Sequence, residues 1–321
     1  MGSVLYSSAR AVSLEKTLLG EDRLKRMIDG NADDALKILS EVGFGTGDSV
    51  KTEIDAVSTY ETAKLCAFIK ETAPDEKTAK FFLYPFDFKN AEALIKSKYL
   101  KAEPELFPCG YIDEKALKEK IFSDSYGTLP SAMGVALLTS DKVFVEKTES
   151  GQLINSLFTK ALYEELFALN VQNPYLEKIL RAKADMINIG IALRTRDYES
   201  AKGQFVHEGA INITLLKAVC EEDFDKIREK FRFHDYKDAV YAALNGIESG
   251  KGLKDFEKMS DGFAVKIINK NKYNQEGIFP FIRYCFYKFA DIKNARIILV
   301  GHSGNLTGEE ITERIREHYE G

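Results

Sequence analysis

The sequence predicts an all-α protein built from three similar helical domains. Apolar residues recur mostly at spacings of three and four, the period of an amphipathic helix, rather than at the spacing of two that marks a strand. Only seven prolines interrupt the 321 residues. One short motif also occurs three times. These observations together favour a repeated helical fold over a fold that contains a sheet.

The first elements can be followed from their apolar residues and glycines. Gly20 is expected to end a first helix and Gly43 to close a short second one, since glycine is common just after a helix. The apolar face of the first helix is formed by Leu5, Ala9, Val12, Leu18 and Leu19, and the second helix contains Ala35, Leu36, Ile38 and Leu39. Similar short helices are predicted at 132–138 and 239–244.

An Asp and an Asn three residues apart mark three apolar segments of the chain. These segments are FDFKNAEALI with Asp87 and Asn90, ADMINIGIAL with Asp185 and Asn188, and ADIKNARIIL with Asp291 and Asn294. The three Asp residues are separated by 98 and then 106 residues. Apolar residues stand one, four and eight positions after each Asp, on one face of a helix. A single pair arises by chance, whereas three pairs in the same apolar frame indicate copies of one unit.

Prolines and glycines punctuate the three copies in similar ways. Pro174 and Pro280 lie 11 residues before the second and third Asp, and Pro74 lies 13 before the first, which suits the first turn of each helix. Pro85, inside the first copy alone, predicts a bend there. After each motif a glycine introduces the next amphipathic segment; these glycines are Gly110, Gly209 and Gly304.

The repeat predicts three domains, with limits at 1–109, 110–208 and 209–321. A chain of this length exceeds the usual size of a single hydrophobic core. The unit is also far longer than a TPR or HEAT repeat, so we interpret the copies as domains rather than as turns of a solenoid.

The composition excludes several classes of function. Apolar residues make up 45% and charged residues 30% of the chain, with a net charge of −5, as in ordinary soluble proteins. Basic residues are dispersed among acidic ones, so no nucleic-acid partner is predicted. No signal peptide and no apolar stretch long enough to cross a bilayer are expected. A role at a membrane would therefore be that of a peripheral partner.

The cysteines and histidines indicate no metal site and no cofactor. The four cysteines, Cys66, Cys109, Cys220 and Cys285, lack the spacing of a zinc site or of a disulfide framework, and we interpret them as buried thiols. The four histidines are isolated from them and from one another. We therefore predict no metal, no cofactor and no catalytic residue.

One segment imitates the active site of a serine hydrolase. RIILVGHSGN resembles a strand that leads into a nucleophile elbow with Ser303 as the nucleophile. However, Asn305 replaces the final glycine of the elbow, and only 18 residues follow Ser303. The other two copies of the repeat hold no such motif, so a helix C-cap at Gly301 followed by a loop is the preferred interpretation.

The residues of both chain ends resemble the C subunit of the bacterial and archaeal V-type (A-type) rotary ATPases, whose eukaryotic relative is the d subunit. The likeness is plainest in PFIRYCFYKFADIKNARIILVGHSGNLTGEEITERIREHY, where an acid, an Asn and an Arg occur in a helix before a glycine-led loop. These residues are Asp291, Asn294 and Arg296. At the N-terminus, Tyr6, Arg10 and Leu14 are similar to the opening pattern of the family.

The resemblance implies an arrangement and a role. Three similar helical domains would form a funnel about a pseudo-threefold axis, on the cytoplasmic face of the membrane proteolipid ring. The funnel would receive the foot of the central stalk, made of D-type and F-type subunits, and would transmit torque without an active site of its own. ATP synthesis or hydrolysis would thereby be coupled to H⁺ or Na⁺ transport. A general helical scaffold with other partners is the alternative, and a hydrolase using Ser303 is a more distant one.

Overall fold

A computed structural model describes residues 3–45, 54–146, 151–206 and 209–319. Those residues form sixteen α-helices and two short 3-10 turns, without a strand among them, which confirms the predicted all-α class. Helices α1 to α8 are Val4–Leu14, Gly20–Asp29, Ala32–Glu41, Ile54–Thr72, Glu76–Leu100, Glu114–Phe122, Ser131–Val145 and Gly151–Ala168. Helices α9 to α16 are Pro174–Thr195, Tyr198–Ala201, Ile213–Glu221, Phe224–Phe231, Lys237–Glu248, Lys254–Asn269, Phe279–Ser303 and Gly308–Thr312.

The chain divides into two compact units. Unit 1 combines both chain ends, Met1–Ala79 and Asp261–Gly321, and unit 2 is the continuous stretch Lys80–Ser260. Helices α5 and α14 each run from one unit into the other. The division into three domains at 109 and 208 stays a prediction.

Unit 1 is organised around helix α15. This helix packs against α1, α2, α3, α4 and α16, and most of its 25 residues are buried. Aromatic rings fill the contact with α4, where Phe68 stacks on Phe281 at 5.8 Å and meets Tyr284 edge-on at 5.3 Å. Because α15 is buried on most of its sides, it forms the central helix of this unit.

Unit 2 has its own helical core. Helix α7 packs along α8, and α9 packs against α10 and α11. Helix α9 begins with Asn173 as its N-cap, whose side chain accepts the backbone N–H groups of Tyr175 and Leu176. The ring stack of Tyr99 on Phe144, at 4.6 Å, joins the end of α5 to α7.

The glycine predictions are confirmed in one case and wrong in two. Helix α3 ends at Glu41 and Gly43 follows with a φ of +73°, as expected. Gly20 instead begins α2, because the chain turns at Glu15–Thr17 and is extended at Leu18. Gly301 lies inside α15, which runs to Ser303. A Cβ at Gly301 would come within 2.7 Å of the Ile311 side chain, so this glycine serves packing rather than capping.

The predicted proline in the first turn of the motif helix is confirmed in the second and third copies. Pro174 and Pro280 lie in the first turns of α9 and α15. Pro74 precedes α5, which begins only at Glu76, so its predicted place in a first turn is wrong. Pro85 lies inside α5, and the helix continues beyond it. The short helices predicted at 132–138 and 239–244 are found within α7 and α13.

Two of the four cysteines are the buried thiols that the sequence predicts. Cys220 and Cys285 are free, and burial raises the pKa of both thiols. Cys66 and Cys109 are in the disulfide-bonded state, so the prediction of thiols is wrong at these two positions. Sequence spacing does not reveal such bonds, because a disulfide depends on the approach of two residues in space.

Among the described residues, no helix combines the length and the apolar character needed to cross a bilayer.

Candidate functional site

The three Asn residues of the repeated motif make the same contact. Each side-chain amide binds both the N–H and the C=O of one residue in a later segment of the chain. The pairs are Asn90 with Phe107, Asn188 with Val206 and Asn294 with Arg316, with N–H to Oδ1 distances of 2.8 Å in all three. The amide nitrogens donate to the same residues' carbonyl oxygens at 3.0, 2.7 and 3.1 Å. All three Asn side chains are buried, so each anchors a loop onto its helix.

The Asp residues of the first two motifs each accept two consecutive backbone N–H groups. Asp87 binds Tyr111 at 2.8 Å and Ile112 at 3.1 Å. Asp185 binds the N–H groups of Ala210 at 3.0 Å and Ile211 at 2.9 Å, and it also accepts the hydroxyl of Tyr236 at 2.7 Å. These hydrogen bonds hold the chain just before α6 and α11. The carboxylates are occupied by the backbone, so they position loops rather than present a reactive group.

A glycine completes each of these two sites. A Cβ at Gly110 would lie 2.2 Å from Oδ1 of Asp87, and one at Gly209 would lie 2.1 Å from Oδ1 of Asp185. Only glycine lets the backbone approach a carboxylate so closely. The structure therefore brings together Asp87, Asn90 and Gly110 in one site and Asp185, Asn188 and Gly209 in another.

The third motif is closed by the opposite end of the chain. Oδ2 of Asp291 accepts the N–H of Leu19 at 2.9 Å, and its buried Oδ1 has no hydrogen-bond partner among the described residues. Gly304, which precedes α16, caps the end of α15 and is exposed. Asp291 takes its backbone donor from Leu19 rather than from the segment after the motif.

Buried charges surround the third motif. Burial raises the pKa of Asp291 to about 7, against the opposing effects of the Leu19 N–H, Lys288 and Arg23. Lys288, also on α15, forms an ion pair of 3.1 Å with the fully buried Glu61. Burial lowers the pKa of Lys288, against the attraction of Glu61 and Asp291. The Lys288–Glu61 pair was not found from the sequence, although a lysine inside the apolar run FIRYCFYKFAD is a signal for it.

Arg296 lies apart from the third motif. Its side chain is exposed and forms an ion pair of 2.9 Å with Asp55, which is also exposed. The resemblance places Arg296 beside Asp291 and Asn294 in sequence, but the helix turns its side chain to another face.

The N-terminal residues of the family pattern lie at a cavity within unit 1. Nη1 of Arg10 donates to the hydroxyl of Tyr6 at 2.9 Å and pairs with Glu71 at 3.1 Å. Arg10 and Leu14 line a cavity of about 460 Å³, whose wall also includes Lys288 and Glu61. The structure thus brings the N-terminal pattern close to the buried ion pair of α15.

The hydrolase interpretation of Ser303 is wrong. A nucleophile elbow needs a strand, a sharp turn and a helix in succession. Ser303 is instead the last residue of the long helix α15, and the segment before it is helical throughout.

Comparison with known proteins places the chain in a family. The profile of the ATP synthase (C/AC39) subunit family matches residues 7–314. The chain is similar to the C subunit of the A-type ATP synthase of Methanocaldococcus jannaschii, with 25% identity over 95% of this chain and 84% of the relative. It is also similar to the C subunit of the V-type sodium ATPase of Enterococcus hirae, with 20% identity over 95% and 96% of the two chains. The chain therefore belongs to the ATP synthase (C/AC39) subunit family, whose members are non-catalytic subunits of a rotary ATPase.

Proposed function

We propose that this protein is the rotor adaptor of a V/A-type ATPase, a socket that joins the central stalk to the membrane proteolipid ring. Through it, torque would pass between ATP synthesis or hydrolysis and the transport of H⁺ or Na⁺. The observation that carries the proposal is the family match over nearly the whole chain. The proposed neighbours are the D-type and F-type stalk subunits on one side and the ring on the other.

The internal anchoring of the chain supports a role under mechanical load. A torque-transmitting part must keep its loops in place while force passes through it. The three buried Asn residues, together with Asp87 and Asp185, fasten such loops to the long helices α5, α9 and α15. A buried hydrogen bond of this kind contributes about 1 kcal/mol, and an unpaired partner costs more. Each motif combines several of them, so the loops resist slipping.

The proposed place of the protein is the cytoplasmic face of the membrane, as a peripheral part of the complex. The neighbours would be held by protein surface rather than by a membrane span. Each of the two interfaces should reach at least the standard size of about 1,600 Å² in total, because a coupling part has to stay bound while it turns.

Affinity capture tests the proposed partners. The full chain, tagged and expressed in its own cells, is purified from detergent-solubilised membranes, and the co-purifying proteins are identified by mass spectrometry. We expect stalk subunits and the proteolipid in fixed ratio to the chain. Recovery of neither would contradict the proposal and would favour a general helical scaffold with other partners.

A matched pair of variants makes the capture specific. Glu199→Gln changes an exposed side chain and leaves all three motifs intact. Gly209→Ala places a methyl group against Asp185 and should loosen the loop before α11. We expect Glu199→Gln to recover the partners like the wild type and Gly209→Ala to recover less of them. Equal recovery would contradict the link between anchored loops and assembly.

A further inference from the structure

The third motif joins segments that are far apart in sequence. Leu19 and Asp291 are 272 residues apart, whereas the N–H groups that Asp87 and Asp185 bind lie 24 to 26 residues away. The third contact therefore joins two distant parts of the chain, whereas the other two are local.

The segment Glu15–Gly20, here called the strap, is held by hydrogen bonds at several points along its length. Its Leu19 N–H donates a hydrogen bond to Asp291, and its Leu18 carbonyl accepts a hydrogen bond of 2.7 Å from Nη1 of Arg23. At its start, Glu15 accepts hydrogen bonds from Nε and Nη2 of the buried Arg283 at 2.9 and 2.5 Å, and Thr17 is hydrogen-bonded to the side chain of Tyr284. Leu18 and Leu19 are each only 1% exposed, so they are covered while the strap is in place.

The strap also borders open space. A depression of about 790 Å³ is lined by residues of the strap, by the start of α2 and by Tyr319. The strap therefore has open space on its outer side.

We propose that the strap is releasable: it detaches from α15 more readily than the equivalent segments detach from Asp87 and Asp185, and its release exposes Asp291 to water. Asp291 accepts one backbone N–H where the other two carboxylates accept two, and within the described ranges its buried Oδ1 has no hydrogen-bond partner. An unpaired buried oxygen is costly, and opening to water relieves that cost. Folded proteins open locally at free energies below that of global unfolding, so a segment next to an unsatisfied buried group can open by itself.

Protonation of Asp291 favours the closed strap. Burial holds the pKa of the closed form near 7, and exposure to water returns it toward the ordinary value of 3.8. The closed form thus binds a proton more tightly, so a rise in pH favours release. The effect develops between about pH 4 and pH 7 and is complete above that range.

The charged neighbours of Asp291 set this balance. On α15 they are Lys288 and the phenol of Tyr284; on α2, Arg23; and on α4, Glu61, which pairs with both Lys288 and Lys64. At the strap itself Glu15 faces Arg283. The charged side chains of α3 and α16 are exposed. Lys288 and Arg23 favour the carboxylate, but burial outweighs them.

Hydrogen exchange at three equivalent amides tests the proposal. The probes are the N–H groups of Leu19, Ile112 and Ile211, each bound to the Asp of its motif. Exchange rates of the full-length protein, corrected for intrinsic chemistry, give an opening constant for each amide. We expect the opening constant of Leu19 to be about tenfold larger than those of Ile112 and Ile211. Equal or stronger protection of Leu19 would overturn the proposal.

The variant Asp291→Asn tests the role of the proton. In the wild type, the opening constant of Leu19 should rise about tenfold or more between pH 5 and pH 8. The amide oxygen of the variant can still accept the Leu19 N–H, but it does not titrate. We expect the rise to disappear in Asp291→Asn, and a rise of the same size in the variant would contradict the proton linkage. If the variant does not fold, the wild-type comparison of the three amides still decides whether the strap is releasable.

Discussion

The Asp-x-x-Asn motifs of unit 2 and the motif of unit 1 use the same residues in different ways. In unit 2 the Asp and the Asn both bind the loop that follows their helix. In unit 1 the Asn does the same, but the Asp binds a segment from the beginning of the chain. The amide has a local partner in every copy, whereas the carboxylate takes the N–H of whichever segment lies beside it.

The difference shows how a repeat can persist when its connectivity changes. A buried carboxylate requires donors, but the donors need not be neighbours in sequence. Asp291 is served by one donor and retains a buried oxygen without a partner. The Asp of the third copy therefore accepts the fewest backbone hydrogen bonds of the three.

The largest effect is expected from adding a methyl group at the glycines of unit 2. Gly209→Ala would place its Cβ 2.1 Å from the Asp185 carboxylate, so the loop must move and its hydrogen bonds weaken. We expect a loss of about 2–4 kcal/mol in the free energy of unfolding, measured with urea. Gly304→Ala is the matched control in unit 1, where the nearest atom would be 3.3 Å away, and it should change stability little. Similar losses of stability in the two variants would contradict the structural difference between Gly209 and Gly304.

Removing the side-chain amide of the motif Asn should lower the stability of the protein in both units. Asn188→Leu and Asn294→Leu each leave a buried backbone N–H and C=O without partners, at Val206 and Arg316. We expect each substitution to cost about 2–3 kcal/mol, measured by urea unfolding. An unchanged melting temperature in either variant would remove the structural role assigned to that Asn.

Replacing the carboxylate by an amide should cost more stability in unit 2 than in unit 1. In Asp185→Asn an NH₂ group faces a backbone N–H donor, because both oxygens of Asp185 accept such groups. We expect a loss of about 2 kcal/mol there. In Asp291→Asn the NH₂ group can occupy the position of the unpartnered Oδ1, so the loss should be under about 1 kcal/mol. The reverse order of the two losses would contradict the difference between the second and third motifs.

The stability of the wild-type protein should fall as the pH rises from about 5 to about 8. The folded protein holds the pKa of Asp291 near 7, above its ordinary value of 3.8, so the folded form binds the proton more tightly. Its contribution is present at low pH and is lost as the pH passes through 7, by about 2 kcal/mol in this range. Urea midpoints of wild type and Asp291→Asn isolate this contribution, since only the wild type carries it. Parallel pH profiles of the two proteins would rule it out.

The smallest effect is expected at Arg296. Its ion pair with Asp55 is exposed to solvent on both sides. Exposed pairs contribute from zero to about 1 kcal/mol, so Arg296→Ala should shift the unfolding midpoint only slightly. A loss comparable to that of Asn294→Leu would show that Arg296 belongs to the motif after all.

The all-α class and the positions of the three motif helices could be predicted, because both follow from local periodicity and from repetition. The glycines at 110 and 209 could also be predicted, since they follow their motifs at nearly the same distance. The contact between Asp291 and Leu19 could not be predicted, because a hydrogen bond across 272 residues leaves no trace in local spacing. The same holds for the Lys288–Glu61 pair, in which two charges stabilise each other only after the helices have packed.

Coupling in the assembled complex tests the proposed function most directly. Membrane vesicles are reconstituted with the rotary complex either lacking or containing this chain, and ATP hydrolysis and ATP-driven ion uptake are measured together. We expect hydrolysis to continue without the chain while ion uptake is lost, and we expect added purified chain to restore uptake. Equal ion uptake with and without the chain would contradict a role as the adaptor between stalk and ring.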